Sequence, residues 1–382
     1  MSLKSIISIV GLTLAAVPQF SEATTYTGIS DRFKTEFHKQ LKANNVPGGA
    51  FVIVKDDKII KLSTYGKRKK GGDLNVNADT VFRLASVSKT FAGTLATMLV
   101  QEGKFSWEEP VNKYVPDFTL AGPTAGKDIN LGHVIGQSTG LMPNSYDNII
   151  NANGKLEKII PKFSKLTPMC TPGKCYSYQN IAFSLIQEPI EETTGKSYET
   201  LINERIFTPL KMTSASLGID NFLTTKNRAE PHVKTKSGFR QVTVKPNYYQ
   251  LAPAAGVNAS ISDISKWLMA NMGNRPDVLS PILLSDITEP GVRTRKELRR
   301  RDWREHLNNA HYGKGWRVYD FNGKELIYHA GWVAGYVAEV AYSPELNVGM
   351  AILLNGESRV IAELGSQFWS DVFEQYEKSH KG

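Results

Sequence analysis

The stretch LASVSKTFAGTLATML, residues 84–99, places a serine and a lysine three positions apart at the start of an apolar segment. Gly103 follows as a stop signal, so the pattern predicts a helix that carries Ser86 and Lys89 and runs to Gln101. Residues three apart share one face of a helix, and burial lowers the pKa of an amine. The pair therefore predicts an activated serine nucleophile, although a capping serine and a lysine that reaches for water would give the same pattern.

The N-terminus has the features of an export signal. Residues 1–23, MSLKSIISIVGLTLAAVPQFSEA, combine Lys4, a short apolar run and small residues before a cleavage point, so we predict a secretory signal peptide and a mature chain of residues 24–382. The signal contains no cysteine that could carry a lipid, and no later apolar run is long enough for a membrane helix. We expect a periplasmic or secreted protein with no integral membrane segment after signal cleavage.

The chain has 382 residues, is 41% hydrophobic and carries a formal net charge of +9. Its basic residues are scattered except in the basic segment RTRKELRRRDWR, residues 293–304, which we expect to be the exposed face of a surface helix or a contact for an acidic surface or polyanion. No nucleic-acid-binding motif accompanies it, so no nucleic-acid partner is expected. With two cysteines and no histidine spacing typical of zinc, we expect neither a metal nor another cofactor.

The order of the predicted elements indicates an α+β fold. A helix over residues 30–43 precedes two β-rich runs that meet in a hairpin at Asp56 and Asp57, and strand signals return around the Asn322–Gly323 turn, before a last helix over residues 359–376. Between them, the chain shows helical patterns and polar loops. We predict an antiparallel sheet built from both chain ends and flanked by helices (about residues 24–85 and 311–382), with a mostly helical inserted domain (about residues 86–310).

A second candidate nucleophile lies in GQSTG, residues 136–140, which matches the Gly-x-Ser-x-Gly elbow of α/β-hydrolases around Ser138. That elbow requires a strand before the serine and a helix directly after it. The following residues, LMPNSYDN, contain a proline and several turn formers. We therefore expect Ser86, and not Ser138, to be the nucleophile.

Two later segments contain further candidate site residues. PGKCYSYQNIAFSLI, residues 172–186, places Tyr178 and Asn180 at the entry to an apolar helix, and YHAGWVAGY, residues 328–336, ends a strand at His329, Ala330 and Gly331. With FRLASVSKTF around Ser86, the chain resembles the serine β-lactamases and penicillin-interacting hydrolases, most closely class C. The resemblance extends from about residue 30 to residue 376.

This resemblance implies a β-lactamase/DD-peptidase-like fold and specific roles. Ser86 would attack a carbonyl to form an acyl-enzyme, Lys89 would maintain a proton-sharing network, and Tyr178 would move the proton between Ser86 and the leaving group. The oxyanion would lie between the backbone N–H groups of Ser86 and Trp332. The substrate-binding residues implied by the resemblance are Asn180, His329, Ala330, Gly331 and Trp332.

His329 departs from the Lys-Thr-Gly triplet that class C enzymes usually have. A lysine there supplies a fixed charge for a substrate carboxylate, whereas a histidine is neutral above its ordinary pKa of about 6.5. The leading prediction is a β-lactamase that hydrolyses the β-lactam amide. The alternatives are a D-Ala-D-Ala carboxypeptidase, a D-aminopeptidase or an esterase of the same fold, and a penicillin-binding module without turnover. In each case the partner is a small molecule, and the oligomeric state stays open.

Cys170 and Cys175 flank a short loop just before Tyr178. In an exported protein this spacing predicts a disulfide that braces the tyrosine segment, with two free thiols as the alternative.

Overall fold

The computed structural model describes residues 20–380 and has an α+β architecture. Within these residues the strands are β1 (Gly48–Lys55), β2 (Lys58–Gly66), β3 (Val81–Arg83), β4 (Ser216–Leu217), β5 (His232–Thr235), β6 (Gly238–Gln241), β7 (Val257–Ser260), β8 (Leu307–Tyr312), β9 (Arg317–Phe321), β10 (Lys324–Val333), β11 (Tyr336–Ser343) and β12 (Val348–Leu354). The helices are α1 (Phe20–Ala43), α2 (Ser88–Gln101), α3 (Leu131–Ile135), α4 (Asp147–Asn151), α5 (Leu156–Ile159), α6 (Ile181–Ser184), α7 (Gln187–Thr194), α8 (Tyr198–Ile202), α9 (Ile219–Thr224), α10 (Ala252–Ala255), α11 (Ile261–Met269), α12 (Pro281–Ile287) and α13 (Val360–His380).

The main sheet joins the two ends of the chain, as the sequence predicts. Its strand order is β2-β1-β12-β11-β10-β9-β8, and every pair is antiparallel. β1 pairs with β12 so that Ala50 lies opposite Leu353. Helices α1 and α13 bury their apolar faces on one side of the sheet, while α2 and α11 belong to the larger core on the other side. The catalytic candidates lie at the border of this larger core.

The local predictions agree with the structure at several points. The hairpin at Asp56 and Asp57 joins β1 to β2, and both residues of the Asn322–Gly323 turn have positive φ, 51° and 86°, as a two-residue hairpin turn of type I′ requires. The first and last helices are longer than predicted, since α1 begins at Phe20 and α13 ends at His380. Most of the predicted signal peptide, residues 1–19, lies outside the described residues. No helix among the described residues is long and apolar enough to cross a membrane.

The basic segment differs from its prediction. Residues 293–304 contain one 3-10 turn (Glu297–Arg299) instead of a surface helix. The reason is that Thr294 and Trp303 are fully buried and Glu297 is nearly so, which ties the segment to the core at three points. A helix with one solvated face cannot satisfy this spacing of buried residues. Strand β8, whose sequence LNNAHY is largely polar, was also not predicted.

Strand β10 has a free edge where the site forms. It pairs with β11 from Ile327 to Val333, but with β9 only from Lys324 to Tyr328. The backbone of residues 329–333 therefore does not pair with β9, and this edge of β10 faces the site. At Gly331 a Cβ atom would come within 2.2 Å of the Leu84 carbonyl oxygen and 2.9 Å of the Ser86 backbone nitrogen, so only glycine allows this strand to lie against the turn that carries Ser86.

Candidate active site

Ser86 lies on a 3-10 turn, Ala85–Val87, that continues directly into α2. The α-helix therefore begins two residues after Ser86, whereas the sequence predicted a helix that carries both Ser86 and Lys89. Ala85 has a φ of 50°, a left-handed conformation that is costly for a residue with a Cβ and that often occurs at functional sites. The Ser86 side chain is half-buried at the cleft, whereas every residue from Ser88 to Leu99 is buried.

Hydrogen bonds hold the Lys89 amine beside Ser86. Its Nζ atom lies 2.7 Å from Asn180 Oδ1, 3.2 Å from the Ala254 carbonyl oxygen and 3.3 Å from Ser86 Oγ. The first two partners can only accept hydrogen bonds, so each takes an N–H from Lys89. The third N–H position is left for Ser86 Oγ and Tyr178, both of which are hydrogen-bonded to this amine.

Asp147 determines how Asn180 is oriented. The Asp147 Oδ2 atom accepts hydrogen bonds from Asn180 Nδ2 at 2.7 Å and from the Tyr248 hydroxyl at 3.3 Å. Because a carboxylate oxygen cannot donate, the Asn180 amide must turn its NH₂ group to Asp147 and its oxygen to Lys89. Asp147 is buried, and burial raises the pKa of its carboxyl group. The sequence analysis missed this residue.

Tyr178 lies against the same amine. The Lys89 Nζ atom is 4.8 Å from the centroid of the Tyr178 ring. Burial alone raises the pKa of the phenol, but the charges of Lys89 and Arg317 and the hydrogen bonds of Ser86 and Lys89 outweigh it, so the pKa is lowered overall. Burial also lowers the pKa of Lys89, against the opposing effect of Tyr178 and Asp147. A phenol and an amine with lowered pKa values beside one hydroxyl group can pass a proton among them.

Arg317 is a second residue that the sequence analysis missed. It is the first residue of β9, and its guanidinium carbon is 5.5 Å from the centroid of the Tyr178 ring. Its side chain is 12% exposed, and its Nε atom lies 3.5 Å from Glu297 Oε1. Its Nη1 atom is buried and has no hydrogen-bond partner among the described residues. Arg317, which lines the cleft beside Tyr178, therefore brings a permanent positive charge to it.

His329 does not supply such a charge. Its side chain is fully buried, with Nε2 3.2 Å from the Tyr312 hydroxyl and Nδ1 2.9 Å from the Ala330 carbonyl oxygen. Burial, together with the charges of Arg317 and Lys89, holds its pKa well below the usual 6.5. The imidazole is thus neutral at neutral pH. The ring therefore provides no fixed charge for a substrate carboxylate, because burial disfavours the charged form.

The predicted residues converge on one cavity of about 790 Å³. Of the predicted set, its lining includes Ser86, Tyr178, Asn180, Ala330, Gly331 and Trp332. Lys89 and His329 lie behind this surface and are fully buried. A second cavity of about 650 Å³ shares Asn144, Tyr178 and Arg317 with the first. Tyr178 and Arg317 thus lie at the junction of the two.

Cys170 and Cys175 form a disulfide immediately before the tyrosine segment. Within its loop, the Gly173 N–H donates to the Ser138 carbonyl oxygen at 2.7 Å, and beyond it the Ser177 N–H donates to the Gln137 carbonyl oxygen at 2.7 Å. The disulfide loop thus pairs with GQSTG. Ser138 is nearly buried and follows α3 instead of a strand, so it lacks the setting of a nucleophile elbow.

Comparisons with known proteins give consistent similarities. A family model described as Beta-lactamase matches residues 33–366. Protein flp of Staphylococcus aureus (strain MRSA252) is 24% identical over 340 residues, which are 86% of this chain and 64% of that protein. Unguisins hydrolase ungD' of Aspergillus campestris (strain IBT 28561) is 26% identical over 292 residues, 74% of this chain and 53% of that protein. The chain thus spans less than two thirds of the length of these curated relatives.

A solved structure shares the fold. The octameric penicillin-binding protein homologue from Pyrococcus abyssi superposes with a TM-score of 0.76 at 22% sequence identity. The match covers 87% of this chain and 75% of that chain.

Proposed function

Because this chain belongs to the β-lactamase family of serine hydrolases, we propose that it is an exported enzyme that hydrolyses amides through an acyl-Ser86 intermediate. The observation that carries the proposal is the 3.3 Å contact between Lys89 Nζ and Ser86 Oγ, made while the same amine lies over the Tyr178 ring. The leading reaction is class C-like hydrolysis of the β-lactam amide. Export is supported by the signal-like residues 1–23 and by the disulfide, which is typical of oxidising compartments.

In acylation, Ser86 Oγ attacks the carbonyl carbon while its proton moves to Tyr178. The phenolate form of Tyr178 is accessible because Lys89 and Arg317 lower its pKa. The developing oxyanion accepts hydrogen bonds from the backbone N–H groups of Ser86 and Trp332, on the two segments that Gly331 allows to approach. The C–N bond then breaks, and Tyr178 returns the proton to the leaving nitrogen.

In deacylation, a water molecule attacks the ester carbonyl and gives its proton to Tyr178. Ser86 leaves with that proton, which restores the starting state. Lys89 acts in both steps by keeping a positive charge beside Tyr178. Asn180 holds Lys89 in place and also lines the cavity, where its amide lies within reach of a substrate amide.

The charges of the site favour substrates that carry a carboxylate. With His329 neutral, the guanidinium of Arg317, which lines both cavities, is the positive group that a carboxylate can meet beside Tyr178. β-Lactams and peptides that end in D-Ala both have such a carboxylate near the scissile amide. This observation supports a D-Ala peptidase as the second candidate and ranks a neutral ester below both.

The test compares three substrates on purified protein: a chromogenic cephalosporin, an acyl-D-Ala-D-Ala peptide and a neutral short-chain acyl ester. We expect turnover of the first or second, and mass spectrometry after a slow β-lactam should place the adduct on Ser86. Ser86→Ala should abolish both signals, while the matched variant Ser138→Ala should retain them. An adduct on Ser138, or turnover that survives Ser86→Ala, would refute the proposal. A stable adduct without turnover would identify a penicillin-binding module.

A further inference from the structure

The basic segment, residues 293–304, borders both cavities of the cleft. Arg300 and Arg301 line the catalytic cavity, and Arg293, Arg295 and Lys296 line the second one. The buried residues Thr294 and Trp303 fix the segment near its two ends. The segment is therefore a wall of the cleft and not a remote surface.

The second cavity is strongly positive. Its charged lining consists of five cations and one carboxylate: Lys174, Arg293, Arg295, Lys296, Arg317 and Glu297. The carboxylate is already engaged, because Glu297 Oε2 lies 3.2 Å from Arg300 Nη1 and accepts a hydrogen bond from the Tyr319 hydroxyl at 2.7 Å. Within residues 20–380, Lys174, Arg295 and Lys296 are exposed and make no ion pair. A cleft lined by one sign of charge concentrates ligands of the opposite sign.

The position of this cavity identifies which part of a substrate it meets. Tyr178 lies at the junction of the two cavities and, in the proposed function on which this inference rests, gives its proton to the leaving group. The leaving group must therefore lie alongside Tyr178, at the entrance of the second cavity. Arg317, at the same junction, takes a first carboxylate, and the exposed cations beyond it remain available for others.

We propose that Lys174, Arg295 and Lys296 form a specificity site for leaving groups that carry two or more carboxylates, as in an acidic peptide released from an acyl group. The carboxylates of such a ligand can form ion pairs with these three cations, and the cations stay exposed when the pairs form. Because the cations are exposed, their effect is strongest at low ionic strength and is screened by salt.

The test uses two depsipeptides that share one acyl group and differ only in the leaving group: glycolyl-Glu-Glu, which carries three carboxylates, and glycolyl-Gln-Gln, which carries only its C-terminal carboxylate. We expect kcat/KM to favour the Glu-Glu compound by about 10-fold at low ionic strength. The preference should disappear in 1 M NaCl, where the Debye length is about 3 Å. The double variant R295E/K296E should remove or invert it.

The matched control is R299E/R304E, which makes the same change in net charge on the same segment at exposed residues that line neither cavity. This control should keep both the preference and the rate with the Gln-Gln compound. If the control loses the preference as fully as R295E/K296E does, or if the wild-type protein shows none, the specificity site is refuted.

A binding measurement separates this inference from the proposed function. Tetraglutamate should bind the wild-type protein in calorimetry, bind at least about 10-fold more weakly to R295E/K296E, and slow the acylation of Ser86 by a β-lactam. Binding that leaves acylation unchanged would indicate a general polyanion surface and would overturn the inference. If neither depsipeptide is hydrolysed, the proposed function fails for these substrates, and tetraglutamate binding alone decides whether the anion site exists.

Discussion

Replacing Asp147 by asparagine should weaken catalysis although Asp147 does not touch Ser86. The substitution keeps the size of the side chain but removes the acceptor-only group that orients the Asn180 amide. In the variant, Asn180 can turn its NH₂ group towards Lys89, and the amine then loses its 2.7 Å acceptor. Lys89 would then be held less firmly beside Ser86.

The size of the effect follows from the hydrogen bond that is lost. A hydrogen bond to a charged group contributes about 1.5–3 kcal/mol. If the full amount is lost in the transition state, kcat/KM falls about 10- to 150-fold. The charge matters too, because the negative Asp147 raises the pKa of Lys89 against the effect of burial. Without it the ammonium loses its proton at lower pH, so the alkaline limb of the pH–rate profile should move to lower pH.

The assay is the acylation rate of Ser86, measured by stopped flow across the alkaline pH range. Tyr248→Phe is the matched control, since it removes the other hydrogen bond to Asp147, at 3.3 Å, and leaves the carboxylate in place. We expect a smaller loss of rate and an unmoved alkaline limb in that control. Thermal unfolding should show that both variants remain folded. An Asp147→Asn protein with the parental rate and the parental profile would refute the positioning role of Asp147.

Three further results are expected. Tyr178→Phe should lower the acylation rate by about 10²- to 10⁴-fold, the usual contribution of a positioned acid or base. The control Tyr176→Phe, on a ring 6.4 Å away, should change the rate little. Equal effects of the two variants would mean that Tyr178 only contributes to packing. Below pH 6.5 the unfolded chain protonates His329 and the folded chain does not, so the free energy of unfolding should fall by up to about 1.4 kcal/mol per pH unit from this group. Urea titrations at several pH values should show that the free energy of unfolding of His329→Asn falls less steeply with decreasing pH. The same dependence on pH in the variant and the parent would contradict the buried neutral state of His329. Cys170→Ser with Cys175→Ser should lower the free energy of unfolding by about 2 kcal/mol, as expected for a short closed loop, and urea denaturation that shows no loss would argue against a structural disulfide.

The sequence predicted the parts of the site that have local patterns. Ser86 and Lys89 are three residues apart, so their contact follows from backbone geometry, and Tyr178 was found through a motif at a helix entry. Asp147 and Arg317 have no such pattern, because Asp147 acts through a contact with Asn180 and Arg317 acts across the junction of two cavities. Their roles depend on tertiary contacts that spacing does not reveal.

Burial explains where the local predictions stop. The basic segment was predicted as a surface helix from its charges, but the buried Trp303 fixes it as a wall of the cleft. The substrate-binding role of His329 stays a prediction, and the surroundings of Tyr312 and Arg317 keep its ring buried and neutral. Burial is a property of the folded neighbourhood that residue type alone does not determine.

The pairing of β1 with β12 affects how the chain reaches its native state. The paired residues Ala50 and Leu353 are roughly 300 positions apart, so closing the sheet needs contacts of very high sequence separation. During synthesis, β1 can pair with β2 early, but its other edge has no β12 beside it until almost the whole chain has been made. The turn at Ser86 likewise has no β10 beside it until residue 331 is available. The late appearance of these partners delays the assembly of the sheet and of the site. Fragments that lack the last strands should therefore have no assembled active site.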